Sequence, residues 1–265
     1  MRRLLTIACG EEHLSASLDE ADGSIGVLMV TGGSQTRVGS HRMYERLAKT
    51  LAAQGYPCLR FDRRGVGDSS GEDPGFKESG PDLSAAAAAF REEAPAVDRI
   101  VGLGLCDGAT ALALHGAPAG ISGLIMVNPW LVEASSGAPP PAAIRSHYRR
   151  RLLSVSGWKR LLSGGVNLRK LAGGLKKAGS STDSSLAGEA ARGLARFKRL
   201  AALIIANGDG TAAAAIAEIK RPAFAGLIGP TAEIESDSHT FARAGDQEAL
   251  EAAVLQALTR LSVPA

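Results

Sequence analysis

Apolar residues along this chain come in short runs separated by amphipathic stretches. "RLLTIAC" (3–9) and "HLSASLDE" (13–20) predict two short strands, the second alternating with period two. "SIGVLMVTGG" (24–33) is a continuous apolar run closing on glycines, the pattern of a strand covered on both faces. Residues 41–54 place Met43, Leu47 and Leu51 at helical spacing, and Gly55 ends that helix. "YPCLRFD" predicts the next strand, the Ala-rich 82–93 a helix, "RIVGLGL" a strand, "DGATALALHG" a helix closed by Gly116, and "ISGLIMVNPW" a strand.

After Trp130 the alternation breaks. Residues 131–195 hold "SSGAPPPAA", basic Leu-bearing segments and "SSTDSSLAG". It resumes with "LAALIIANGDG" (strand), "TAAAAIAEIK" (helix), "FAGLIGPTAEIES" (strand) and a last helix over 246–261. Strands alternating with helices predict an α/β fold, a mostly parallel sheet with helices on both faces. The interruption reads as an inserted helical cap (131–195) after the sixth strand, dividing the core into 1–130 and 196–265. A chain of 265 residues is long enough for one large core.

Composition narrows the functional classes. Only 4% of residues are aromatic, so Ala, Leu, Val and Ile must fill the interior. A net charge of +3 gives no ground for nucleic-acid binding. Three widely spaced cysteines, Cys9, Cys58 and Cys106, form no disulfide framework and fit a reducing compartment. The amino terminus lacks the apolar core of a signal peptide, and no run approaches a membrane span, so a cytoplasmic location is expected. The residue patterns call for no metal and no cofactor.

The chemistry-bearing stretch is Gly104-Leu105-Cys106-Asp107-Gly108, which stands between a predicted strand and a predicted helix. It has the spacing of a nucleophile elbow, with cysteine where serine is usual. Glycines on either side suit a turn that leaves no room for side chains, and a thiol at a helix N-terminus is favoured as thiolate. Such chemistry needs an acid, then a histidine, later in the chain. Asp209 ends the penultimate strand, and His239 follows the last strand. Asp209 also suits the helix cap beginning near Thr211, so it has two readings. Upstream, Gly32 and Gly33 close the third strand, and backbone N–H groups of Ser34 (or Gly33) and Asp107 are the candidate oxyanion donors. Gln35, His41, Trp130 and Trp158 are candidate substrate contacts. The D-x-R-G-x-G-x-S string at Asp62–Ser69 reads as structural, with Asp62 and Arg64 bracing a loop.

Together, the upstream glycines, D-x-R-G-x-G-x-S, the elbow, Asp209 and His239 resemble the α/β-hydrolase superfamily over nearly the whole chain. "GGSQTRVGSHRMYERLAKTLAAQGYPCLRFDRRGVGDSSG", "VNPW" and "HYRRRLLSVSGWKRLLSGGVN" further resemble the exosortase A system-associated hydrolase 1 family. That resemblance implies a bacterial hydrolase linked to exosortase and exopolysaccharide genes, in which a G-x-C-x-G elbow is a family trait. Dienelactone hydrolase-like enzymes also use a cysteine elbow, but usually have a second glycine where this chain has Ala109, and lack a comparable insert.

The expected reaction is hydrolysis of an activated ester or thioester through a Cys106–His239–Asp209 triad and a thioacyl-enzyme. Thiolate is itself a good leaving group, so small-molecule substrates with activated acyl groups are favoured over alkyl esters. The competing readings are a non-catalytic binding or scaffold protein of the same fold and a dienelactone hydrolase-like lactonase. Residues 145–177 hold ten Lys or Arg, with no acidic residue between Glu133 and Asp183. They suit a lid drawing in an anionic substrate, a face for peripheral contact with an anionic inner membrane, or a solvated helix face.

Overall fold

The computed structural model describes residues 1–132 and 185–262. Eight strands form a single sheet: β1 (Arg2–Cys9), β2 (Glu12–Asp19), β3 (Ile25–Val30), β4 (Cys58–Phe61), β5 (Arg99–Leu105), β6 (Gly123–Val127), β7 (Ala201–Ala206) and β8 (Thr231–Ile234). Their spatial order is β1-β2-β4-β3-β5-β6-β7-β8, antiparallel over the first two pairings and parallel from β4 onward. The helices are α1 (Met43–Ala53), α2 (Gly80–Glu93), α3 (Asp107–His115), α4 (Leu186–Ala195), α5 (Gly210–Ile219) and α6 (Asp246–Ser262). This is the mostly parallel α/β sheet that the alternating pattern predicts, in the arrangement that the resemblance to α/β hydrolases implies. Chain direction across the sheet reverses at β3, which lies between β4 and β5. Ligands in open α/β sheets bind outside the carboxyl ends of strands at such a switch point.

Strand alternation sorts the core into two layers. Val27, Met29, Val101, Leu103, Leu105, Ile125 and Val127 face α1 and α6, whereas Leu28, Val30, Ile100, Leu124 and Met126 face α2, α3 and α4. The "GLGL" of β5 is this alternation in miniature. Leu103 and Leu105 fill the first layer, at roughly 2 kcal/mol of burial each. Gly102 and Gly104 leave the other face bare so that α3 can approach: a Cβ on Gly104 would lie 2.6 Å from the Ala109 nitrogen.

Two predicted elements are shorter than their apolar runs. α1 starts at Met43 because His41 and Arg42 take positive φ (52° and 62°), which confines Ser40–Arg42 to one 3-10 turn. The run over 224–236 forms a strand only at Thr231–Ile234, since Gly226 has φ 71° and the segment turns before Pro230. Its first residue, Phe224, is buried against the helical layer instead. Most of the insert expected at 131–195, with His147, Trp158 and the basic residues of 145–177, lies outside the described residues. Its last ten residues form α4, whose Ala187, Ala190, Ala191 and Leu194 pack into the layer beside α3. Among the described residues no helix is long and apolar enough to cross a membrane.

One buried hydroxyl joins the strands that carry the site. Tyr44, fully buried on α1, donates to the Val30 carbonyl at the end of β3 and accepts from the Leu105 N–H at the end of β5, both at 2.9 Å. Burial pushes the phenol far above its ordinary pKa, so the hydroxyl keeps the proton that this bridge uses. Tyr44→Phe strands one donor and one acceptor in the core. We expect a loss of about 1–3 kcal/mol, read as a lower urea midpoint at unchanged m-value.

Candidate active site

Between β5 and α3 the chain turns at Cys106, whose φ of 58° and ψ of −126° are rarely taken by a residue with a side chain. Such a conformation costs on the order of 1–3 kcal/mol and persists only where the surroundings impose it. Here the Cys106 N–H donates to the Val127 carbonyl of β6 at 3.0 Å, and the Cys106 carbonyl accepts from the Trp130 N–H at 3.1 Å. The turn also needs bare neighbours, because a Cβ on Gly108 would lie 2.5 Å from the Val30 carbonyl oxygen. The thiol is held half-exposed above the sheet edge, whereas Cys9 and Cys58 are buried. Burial raises the pKa of both of those thiols, and at Cys9 the nearby Asp82 adds to it.

Asp209 follows β7 as the N-cap of α5. Its Oδ2 accepts from the Ala212 N–H at 3.0 Å and lies 2.8 Å from Nδ1 of His239. The cap and the histidine partner, alternatives in the sequence, are the same carboxylate. Burial alone would raise this carboxyl, but the hydrogen bond and charge of His239, with the amides of Ala212 and Thr211, outweigh it and hold the pKa below its ordinary value. Burial likewise disfavours the His239 cation. Hydrogen bonds to Asp209 and Cys106, together with the negative charge of each, reverse this and raise the imidazole to about 10. With Nδ1 on the acid, Nε2 is the ring nitrogen left to interact with Cys106.

Three polar residues that the sequence reading left unassigned hold the histidine loop. Asn128, fully buried at the end of β6, accepts from the Ala206 N–H at 2.8 Å and donates to the His239 carbonyl at 3.0 Å. Ser236 donates to Asp246 at 2.5 Å and accepts from the Ser238 N–H at 3.0 Å, fixing the loop to the start of α6. Asn128 has φ 41°, a conformation that asparagine tolerates better than most residues. Asp237, two residues before the histidine, pairs with Arg243 at 2.6 Å.

The loop after β3 approaches the elbow closely, and a Cβ on Gly32 would lie 2.9 Å from Cβ of Cys106. The Gly33 N–H donates to Oδ1 of Asp107 at 2.6 Å, so the side chain next to Cys106 already engages it. Ser34 is exposed. The Asp107 N–H opens α3, where no intrahelical acceptor exists. Gln35 serves the loop itself: its side chain accepts from the Ser40 N–H at 3.2 Å and its carbonyl from Thr31 at 2.8 Å. His41 is exposed on the 3-10 turn. Trp130 is tied to the elbow through its main chain, its carbonyl also accepting from Thr110 at 2.5 Å. Trp158 lies outside the described residues. Asp62 and Arg64 brace the next loop: Asp62 accepts from the N–H groups of Arg37 and Asp68 and from the Arg37 guanidinium, and Arg64 pairs with buried Asp82 at 2.9 Å.

A family model described as serine aminopeptidase, S33, matches residues 28–173, from β3 through the elbow and beyond. No protein of curated function matches the chain. Among solved structures the chain is similar to the α/β hydrolase GrgF from Penicillium sp. sh18, at 17% identity, 98% coverage of both chains and a TM-score of 0.66. It is similar to the Pyrococcus furiosus esterase Pf2001, at 15% identity, covering 98% of this chain and 92% of that one, with a TM-score of 0.67. A dienelactone hydrolase from Anabaena variabilis shares 13% identity over 98% and 97% of the two chains, with a TM-score of 0.61. These likenesses show the fold.

The raised pKa of His239 makes stability depend on pH. Its folded value lies above the ordinary 6.5, so the stabilisation from its pairing is complete below that pH. It is lost as the pH rises toward about 10. The Tm advantage of wild type over His239→Gln should therefore shrink steadily across this window. An advantage that stays constant with pH would contradict the pairing.

Proposed function

The chain belongs to the serine aminopeptidase, S33 family of α/β hydrolases, and from that premise we propose that it hydrolyses activated esters or thioesters with Cys106 in the serine's place. The observation that carries this reading is the 2.8 Å contact between Asp209 and His239, beside a thiol, at a strained, half-exposed turn, whose charge helps to raise the imidazole pKa. The cysteine elbow also supports membership of the exosortase A system-associated hydrolase 1 group, where it is a shared trait.

In this mechanism the Cys106 thiolate faces Nε2 of a protonated His239, and Asp209 holds that imidazolium through Nδ1. Sulfur adds to the acyl carbon, and the carbonyl π pair moves to oxygen. Collapse of the intermediate breaks the bond to the leaving group, which takes the proton from His239, and a thioacyl-enzyme remains. Acylation also removes the Cys106 charge, one of the interactions that hold the imidazole pKa up. The freed imidazole then takes a proton from water as the water oxygen attacks the thioester. Carbon–sulfur cleavage releases the carboxylic acid and restores the thiolate.

Partition of the tetrahedral intermediate sets the substrate class. A thiolate leaves before an alkoxide does, so simple alkyl esters mostly revert, whereas aryl esters, enol lactones and thioesters go forward.

Cys106→Ala should lower p-nitrophenyl acetate turnover by about three orders of magnitude or more. Ethyl acetate should be turned over far more slowly than p-nitrophenyl acetate by wild type, and iodoacetamide should label Cys106 well before Cys9 or Cys58. Comparable rates on the two esters, or equal labelling of the three thiols, would sink the reading.

A further inference from the structure

Beneath the loop after β3 lies an arginine that the D-x-R-G-x-G-x-S string leaves without a role. Arg63 follows β4, and its side chain is 3% exposed. Its Nη2 donates to the Gly33 carbonyl at 2.5 Å, and Asp73 lies 4.0 Å away. Its Nε and Nη1 are buried without a partner among the described residues. A half-satisfied buried guanidinium is a costly way to hold one carbonyl, which a neutral amide could hold as well. The positive charge needs its own explanation.

The geometry of the peptide supplies one. The chain has no cis bond among the described residues, so the Gly33 carbonyl and the Ser34 N–H point in opposite directions. Tying that carbonyl into the protein turns the Ser34 N–H outward. A charge-assisted hydrogen bond on the carbonyl also polarises the amide and strengthens its N–H as a donor. The neighbouring Gly33 N–H is meanwhile engaged by Asp107. We propose that Arg63 is a positioning residue of the oxyanion hole. It orients and polarises the Gly33–Ser34 peptide so that the Ser34 N–H, with the Asp107 N–H, receives the charge of the tetrahedral intermediate. Arg63 touches no substrate. The inference rests on the acyl-transfer reading above and deepens it.

The test measures p-nitrophenyl acetate turnover and iodoacetamide alkylation of Cys106 in parallel, on wild type, Arg63→Lys, Arg63→Gln and Arg63→Met. Alkylation is displacement at a saturated carbon and develops no oxyanion, so it reports the thiol alone. In the Gln and Met variants kcat should fall about 10- to 100-fold, with KM and the alkylation rate within about twofold of wild type. Lys, which keeps the charge, should restore most of the loss. Equal kcat in all four proteins overturns the proposal, and so does a parallel fall of alkylation and kcat, the mark of a general disturbance of the elbow. If the Met variant does not fold, Gln against Lys gives the same reading, because Gln keeps a donor and drops the charge. Turnover that survives in Cys106→Ala would remove the acyl-transfer reading and this proposal with it. Loss in Cys106→Ala alongside unchanged Arg63 variants would remove only the role of Arg63.

Discussion

The site depends on how closely α3 approaches β5. A helix can start directly at the end of a strand, with its first turn against the neighbouring strand, only where side chains are missing on the facing surfaces. Gly104 and Gly108 supply that gap, and with a methyl group at either one the approach would fail. The approach forces Cys106 into its positive-φ turn, which lifts the sulfur above the sheet edge and leaves the first amides of α3 unpaired. Position of the thiol, availability of a donor and strain in the turn are thus one packing event, and Tyr44 fixes it from the opposite layer.

Electrostatics then act on a geometry already set. At both Asp209 and His239, burial opposes the charged form, and pairing overrides it. That balance holds only while the histidine loop stays in place, which is the task of Asn128 and of the Ser236–Asp246 bond. Neither group touches the imidazole, yet both fix the loop that carries it.

Sequence made legible whatever depends on neighbours along the chain. The elbow is one such case, since its glycines, nucleophile and strand-to-helix context are contiguous. Asp209 and His239 were legible through their order and their loops. Tyr44, Asn128 and Arg63 were not, because their partners lie on other strands and depend on sheet register: Val30 and Leu105 for Tyr44, Ala206 and His239 for Asn128, Gly33 for Arg63. Apolar runs overestimated β8 and α1 for a local reason. Glycine and positive-φ residues interrupted them where hydrophobicity did not. Treating Asp209 as either a cap or a triad acid was also too narrow, since a carboxylate has two oxygens and room for several donors.

That double engagement of Asp209 ties two properties of the protein together. The oxygen that orients His239 also closes the first turn of α5. A substitution that removes this oxygen from the histidine also frays the first turn of a helix packed on the sheet. Asparagine would preserve the cap while withdrawing the negative charge. It is therefore the one change that would separate the two tasks, keeping the helix start while removing the charge that faces the imidazole.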